Sequence, residues 1–218
     1  MIAAWMLSTL VAGAFISLAV NAADRVFLAV RRPTRFVWLA AMLVTVLWPG
    51  IAIVRSRLFA PSAMTTPPST DTRAARLTAV VVRASDGALP VPIDPLLLTC
   101  WAVATAVLLA RMVHARRVLG MHGREWRTHW VDGVRVRLSR DVGPAVVGLD
   151  PTEVVLPEWT LELDEPLRAL VLAHEGEHRR ALDPHLLLAG ALLAVMVPWN
   201  IALWWQLRRL RLAIELDC

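Results

Sequence analysis

The sequence predicts a mainly α, integral-membrane fold: transmembrane helices joined to a small α+β unit. Three observations predict it. The chain is 57% hydrophobic with a mean hydropathy of +0.54, and its apolar residues fall in long uncharged blocks instead of an amphipathic pattern. Arginines cluster at the ends of those blocks. Between Trp130 and Thr160 the pattern changes to short alternating runs, and a charged helix follows. The net charge of +5 is carried by arginine, with no lysine in the chain. Because these arginines flank apolar blocks and line no single basic helix, direct nucleic-acid binding is not expected. Cys100 and Cys218 lie far apart and suggest no disulfide framework.

The first block, residues 1–20, is long enough to cross a bilayer, which takes about 20 residues. A signal peptide is the competing reading, with small residues near Ala22-Ala23. The charge argues against it, since Arg25, Arg31, Arg32 and Arg35 come after the apolar core. Residues 36–54 form a second uncharged block, and 95–113 a third, interrupted only by Arg111 near its end. The arginine clusters predict an outside N-terminus, a cytoplasmic first loop, an outer loop over 55–94 and a cytoplasmic remainder. Within the outer loop, residues 61–72 read as loop and Ala79-Val80-Val81-Val82 as a short strand. The expected domains are thus a membrane region over 1–113 and a cytoplasmic unit over 114–218.

In the cytoplasmic unit, Val134-Arg135-Val136-Arg137-Leu138 alternates as a half-buried strand does. Two more short runs, Ala145-Val146-Val147 and Val154-Val155-Leu156, are punctuated by Gly143-Pro144 and by Gly148 to Pro151. Asp164-Glu165-Pro166 then has the residues of a helix start. The helix it opens carries His174, Glu175 and His178 in the order H-E-x-x-H. Four residues apart on a helix, the two imidazoles leave one face a turn apart and can share a zinc ion. Glu175 between them can take a proton from water at that ion. Leu167, Val171, His174, His178 and Ala181 fall on one stripe, expected to be the buried face. The competing reading is an exposed charged helix that spells the motif by chance.

Two histidines do not complete a catalytic zinc site, which has three protein ligands. The run over 184–207 is uncharged and long enough to be a fourth span. The carboxylates beyond it are Glu215 and Asp217. One straight helix would carry Glu215 roughly 45 Å from the histidines at 1.5 Å per residue. Pro198 and Asn200 in the middle of the run offer a turn instead. Arginines on both flanks, Arg179 and Arg180 before and Arg208, Arg209 and Arg211 after, agree with a membrane-dipping hairpin over 185–215 that returns to its starting side.

Taken together, Gly143-Pro144-Ala145-Val146-Val147-Gly148, Val154-Val155-Leu156-Pro157, the 174–183 segment, Pro198-Trp199-Asn200 and Glu215 with Cys218 resemble the BlaR/MecR-type integral-membrane metallopeptidases, the antirepressors of beta-lactam resistance. The resemblance covers roughly Asp141 to the C-terminus. It implies a gluzincin-like unit in which His174, His178 and Glu215 bind Zn2+, Glu175 is the general base and Asp183 supports a ligand. It implies hydrolysis of peptide bonds at the cytoplasmic membrane face. The substrate would be a winged-helix transcriptional repressor or the protein itself, lying along Ala145-Val146-Val147 or Val154-Val155-Leu156. Family members carry an aspartate just past the position of Cys218, so the chain reads as a C-terminally truncated member. No penicillin-binding function follows.

Two other functions fit parts of the sequence: a non-catalytic receptor or inactive fragment, and a housekeeping protease of the HtpX/Ste24 type. Remaining expectations are smaller. Glu215 could instead pair with Arg211. Glu177 should face solvent, and His185 should be an interfacial residue. His114, His122 and His129 are candidates for a transition-state donor. Trp199, Trp204 and Trp205 read as interface anchors. Cys100 reads as apolar packing in the third span.

Overall fold

The computed structural model describes residues 2–30, 32–58 and 93–218. The expected loop over 61–72 and strand over 79–82 lie outside the described residues.

Three long helices come first. α1 is Ile2–Ala29, α2 is Arg35–Leu58 and α3 is Ile93–Glu125. Ile2–Phe27 and Ile93–Glu125 are each long and apolar enough to cross a membrane. α2 also carries an apolar stretch over Arg35–Trp48. α1 and α2 run antiparallel. Asp24 meets Trp38 near their connection, and Ser17 and Thr45 meet further along through Gln206. α3 starts beside α1, where the Ile2 amide donates to Asp94. It runs unbroken through the expected boundary at 113/114 and has no buried residue.

α3 feeds a four-stranded sheet: β1 (Arg127–Val131), β2 (Val134–Ser139), β3 (Ala145–Val147) and β4 (Glu153–Pro157), in the order β1-β2-β4-β3. β1 and β2 form a hairpin around Asp132-Gly133, whose φ angles of 50° and 78° are those of the tight turn that matches strand twist. β2 and β4 are parallel, and β3 and β4 antiparallel. Pairing on both sides leaves β4 no free edge, so Val154-Val155-Leu156 cannot accept another strand. Among the described residues, the outer edge of β3 is unpaired.

Helix α4 (Glu165–Arg180) lies on this sheet, after a short 3-10 turn over Glu158–Glu162. Its Leu172 enters an apolar cluster with Val131, Val136, Val154 and Leu156. Arg168 also forks onto Asp132 in the β1–β2 turn, at 2.8 and 2.9 Å.

The chain then reverses. Leu182 has a φ of 57°, a left-handed conformation that costs a side chain about 1–2 kcal/mol. It breaks α4 from α5 (Asp183–Met196), and α6 (Ile201–Leu216) follows a turn over 197–200. Asn200 makes that turn. Its Oδ1 accepts from the Ala202 and Leu203 amides, capping α6, while its Nδ2 donates to the Thr9 carbonyl on α1. Gly190 lets the two arms touch, since a Cβ there would lie 2.9 Å from Leu210 and 3.0 Å from Leu207. The run over 184–207 is thus two antiparallel helices instead of one straight span.

The hairpin packs into the α1–α2 pair. Trp38, Met42, Ala194, Leu203, Leu207, Leu210 and Ile214 form the larger apolar core. A polar seam crosses it. Gln206 is fully buried and donates to Ser17 at 2.8 Å and Thr45 at 3.2 Å. Arg209 reaches Asp24 at 2.6 Å and lies over the Trp38 and Trp205 rings. At the hairpin tip, Trp199 stacks edge-on with Trp5 and Trp101, and Trp204 donates to the Pro198 carbonyl. These tryptophans join helices to one another, a packing role not expected from the sequence.

Candidate metal centre

Helical periodicity puts His174 and His178 on adjacent turns of α4, and their rings meet edge to face with 3.1 Å between the two Nε2 atoms. The hairpin brings in the third group. Glu215, near the end of α6, holds its Oε2 3.9 Å from His174 Nε2 and 3.8 Å from His178 Nε2. Donor atoms arranged tetrahedrally at about 2.1 Å from a zinc ion lie about 3.4 Å from one another. The three observed separations bracket that value, so the donor set fits zinc in size and chemistry. Glu215 does not pair with Arg211 among the described contacts; it faces the histidines.

Asp183 fixes the tautomer. Its Oδ2 lies 2.7 Å from His178 Nδ1, and an ionised carboxylate can only accept, so Nδ1 carries the proton and Nε2 keeps its lone pair. The left-handed Leu182 makes this contact possible by folding the start of α5 back onto α4. Cys218 is a second candidate donor, since His174, His178 and Cys218 offer ligand atoms within 4.8 Å of one another. However, its Sγ approaches His178 at Nδ1, 3.4 Å away, on the side of the ring already taken by Asp183. Glu215 instead shares the Nε2 side with His174.

Glu175 is 4% exposed, and its Oε2 is buried without a hydrogen-bond partner. Burial pushes its carboxyl above the usual carboxylate range, against the pull of His178 and His174. A buried, unpartnered carboxylate oxygen beside two imidazoles and an open carboxylate has the chemistry of a proton acceptor awaiting a proton.

The expected buried stripe holds in part: His178 is buried and Val171 packs against the sheet core, but His174 and Leu167 are exposed, and Leu172 and Glu175 are the other buried residues of α4. The sheet takes the Leu172 face, which turns Glu175 inward and leaves His174 half-open toward Glu215. Glu177 is exposed and pairs with Arg180. Cys100 is exposed on α3, not packed. His114 and His129 are exposed, and His122 hydrogen-bonds within its own helix. His185 is half-buried, its Nδ1 without a partner.

The sequence reading missed two residues. Arg35, one of the arginines that flank the apolar blocks, is buried and bridges Asp183 and Asp217. Asp24 holds Arg209. A lone aspartate among the last turns of an apolar helix was the available signal for the second. No comparable pattern marks Arg35, because it looks like its neighbours Arg31 and Arg32.

Comparison with protein-family models, curated proteins and solved structures returns no match to this chain.

Proposed function

We propose that the protein is a membrane-embedded zinc metallopeptidase of gluzincin type, cleaving peptide bonds at the cytoplasmic membrane face. The observation that carries this reading is the approach of Glu215 Oε2 to within 3.9 Å of both histidine Nε2 atoms. An H-E-x-x-H helix is a common string, but a carboxylate delivered to it by a separate hairpin is not a consequence of the string. The apolar character of α1 and α3 and the arginines at the helix ends support the membrane setting and the sidedness.

His174, His178 and Glu215 would hold the ion. A zinc ion there supplies Lewis-acid polarisation of a carbonyl and makes water more acidic. Glu175 accepts the proton of the attacking water on its buried oxygen and passes it to the leaving amine. Its raised pKa strengthens it as the acceptor of that proton. The substrate chain lies extended along β3, whose free edge is beside α4, and the backbone hydrogen bonds of a fifth strand hold it in register. The resemblance to antirepressors supports signal-dependent cleavage of a transcriptional repressor, or of the protein itself.

Glu175→Gln tests the chemistry. Purified in detergent, this variant keeps one zinc per chain and loses cleavage of itself and of a winged-helix repressor by about 10²–10⁴-fold. Wild-type cleavage rates in the variant would remove Glu175 from the mechanism.

A further inference from the structure

Arg35 sits just after the connection between α1 and α2, 148 positions before Asp183 in the chain. Its side chain is only 7% exposed, and the two carboxylates it meets are 3% and 4% exposed. Nη1 donates to Asp183 Oδ1 at 2.7 Å, and Nε donates to Asp217 Oδ2 at 3.0 Å. Asp217 also accepts from the Thr34 amide at 2.9 Å and the Arg35 amide at 3.0 Å, so it caps the start of α2. The other oxygen of Asp183 receives His178 Nδ1–H. A single guanidinium thus ties the start of α2 to the start of α5 and the end of α6, one hydrogen bond away from an imidazole of the metal centre.

This geometry has a physical consequence. A carboxylate held at one oxygen has little freedom to turn the other, so Arg35 sets the direction from which Asp183 meets the imidazole. The planar fork of arginine reaches two carboxylates at once; the point charge of lysine does not reproduce that. Partners of this kind around a ligand typically change metal affinity by about 10–100-fold.

We propose that Arg35 is a positioning residue of the metal centre, which makes zinc binding conditional on docking of the α1–α2 connection against α5 and α6. The proposal rests on the zinc reading above. Coupling of this kind is reciprocal: if docking strengthens the site, zinc must strengthen docking by the same factor. A stimulus that displaced α1 or α2 would thereby loosen His178 without touching a ligand.

Two measurements test it. Zinc affinity is read by chelator competition on the full chain, for wild type, Arg35→Lys and Asp217→Asn. Both variants are expected to melt as cooperatively as wild type without metal and to bind zinc about 10–100-fold more weakly. Wild-type affinity in both would overturn the proposal. The second measurement needs no variant at Arg35. Amide hydrogen exchange at Thr34 and Arg35 in the wild-type protein is expected to slow several-fold on zinc loading, and not to change in His174→Ala. Stoichiometric zinc binding with no change in that exchange would overturn the proposal and leave the metal reading intact. A wild-type protein that binds no zinc would overturn the metal reading itself.

Discussion

Among the described residues two cores form, and they are built on different principles. The core under α4 is wholly apolar: Val131, Val136, Val154 and Leu156 from three strands close around Leu172. The core between α1, α2, α5 and α6 is larger, and it is crossed by a seam of Thr45, Ser17, Gln206, Asp24 and Arg209. Apolar packing has no direction, so the sheet core fixes that α4 is seated but says little about its partner. Directed polar contacts fix register. Such contacts, with close packing at Gly13 and Gly190, determine which helix turn faces which. The cluster of His174, His178 and Glu215 lies where the two meet, with two histidines from the sheet-seated helix and Glu215 from the polar-registered hairpin.

The largest effect should come from the apolar side. Leu156 is fully buried in the sheet core, and Leu156→Ala should cost about 2–5 kcal/mol. Unfolding monitored through zinc loss would check this; a change within error would mean that α4 is seated by something other than that core. The seam gives the next effect. Asp24→Leu leaves the Arg209 charge without its carboxylate. A buried charge so orphaned costs about 3–5 kcal/mol, and the partial exposure of Arg209, 30% at its side chain, lowers the expectation to about 1–3 kcal/mol. Most of that loss should return in Asp24→Leu combined with Arg209→Met. A double variant as unstable as the single one would place the loss elsewhere, at the Trp38 indole N–H that Asp24 also accepts.

The smallest effect belongs to the clamp between β1–β2 and α4. The Arg168 guanidinium, bonded to Asp132, holds that carboxyl below the usual aspartate range. A depressed pKa stabilises the fold above the unfolded value near ~3.9 and loses that contribution as pH falls through the folded value. Wild type should therefore lose more stability than Asp132→Asn on acidification across that window. Parallel melting curves would deny the clamp any role.

Much of this was legible in the sequence, for identifiable reasons. The strands over 134–138, 145–147 and 154–156 alternate or are bounded by glycine and proline. The hairpin turn was legible because Pro198 cannot continue a helix ladder and Asn200 can cap one. The β1 strand was not singled out, although Asp132-Gly133 between valines is a hairpin signal. The burial of α4 was partly misassigned because periodicity gives two adjacent stripes. Only the position of the sheet decides that Leu172 and Glu175 go inward while Leu167 stays out. Arg35 was illegible in principle: its role depends on carboxylates 148 and 182 positions away, and local pattern carries no such information.

X-ray absorption on the zinc-loaded wild-type protein reads the proposed ligand set atom by atom. Two imidazoles and Glu215 predict a first shell of nitrogen and oxygen alone at about 2.0–2.2 Å, unchanged in Cys218→Ala and diminished in Glu215→Gln. A sulfur at about 2.3 Å that disappears in Cys218→Ala would contradict the account. It would move the third ligand from the hairpin's Glu215 to Cys218.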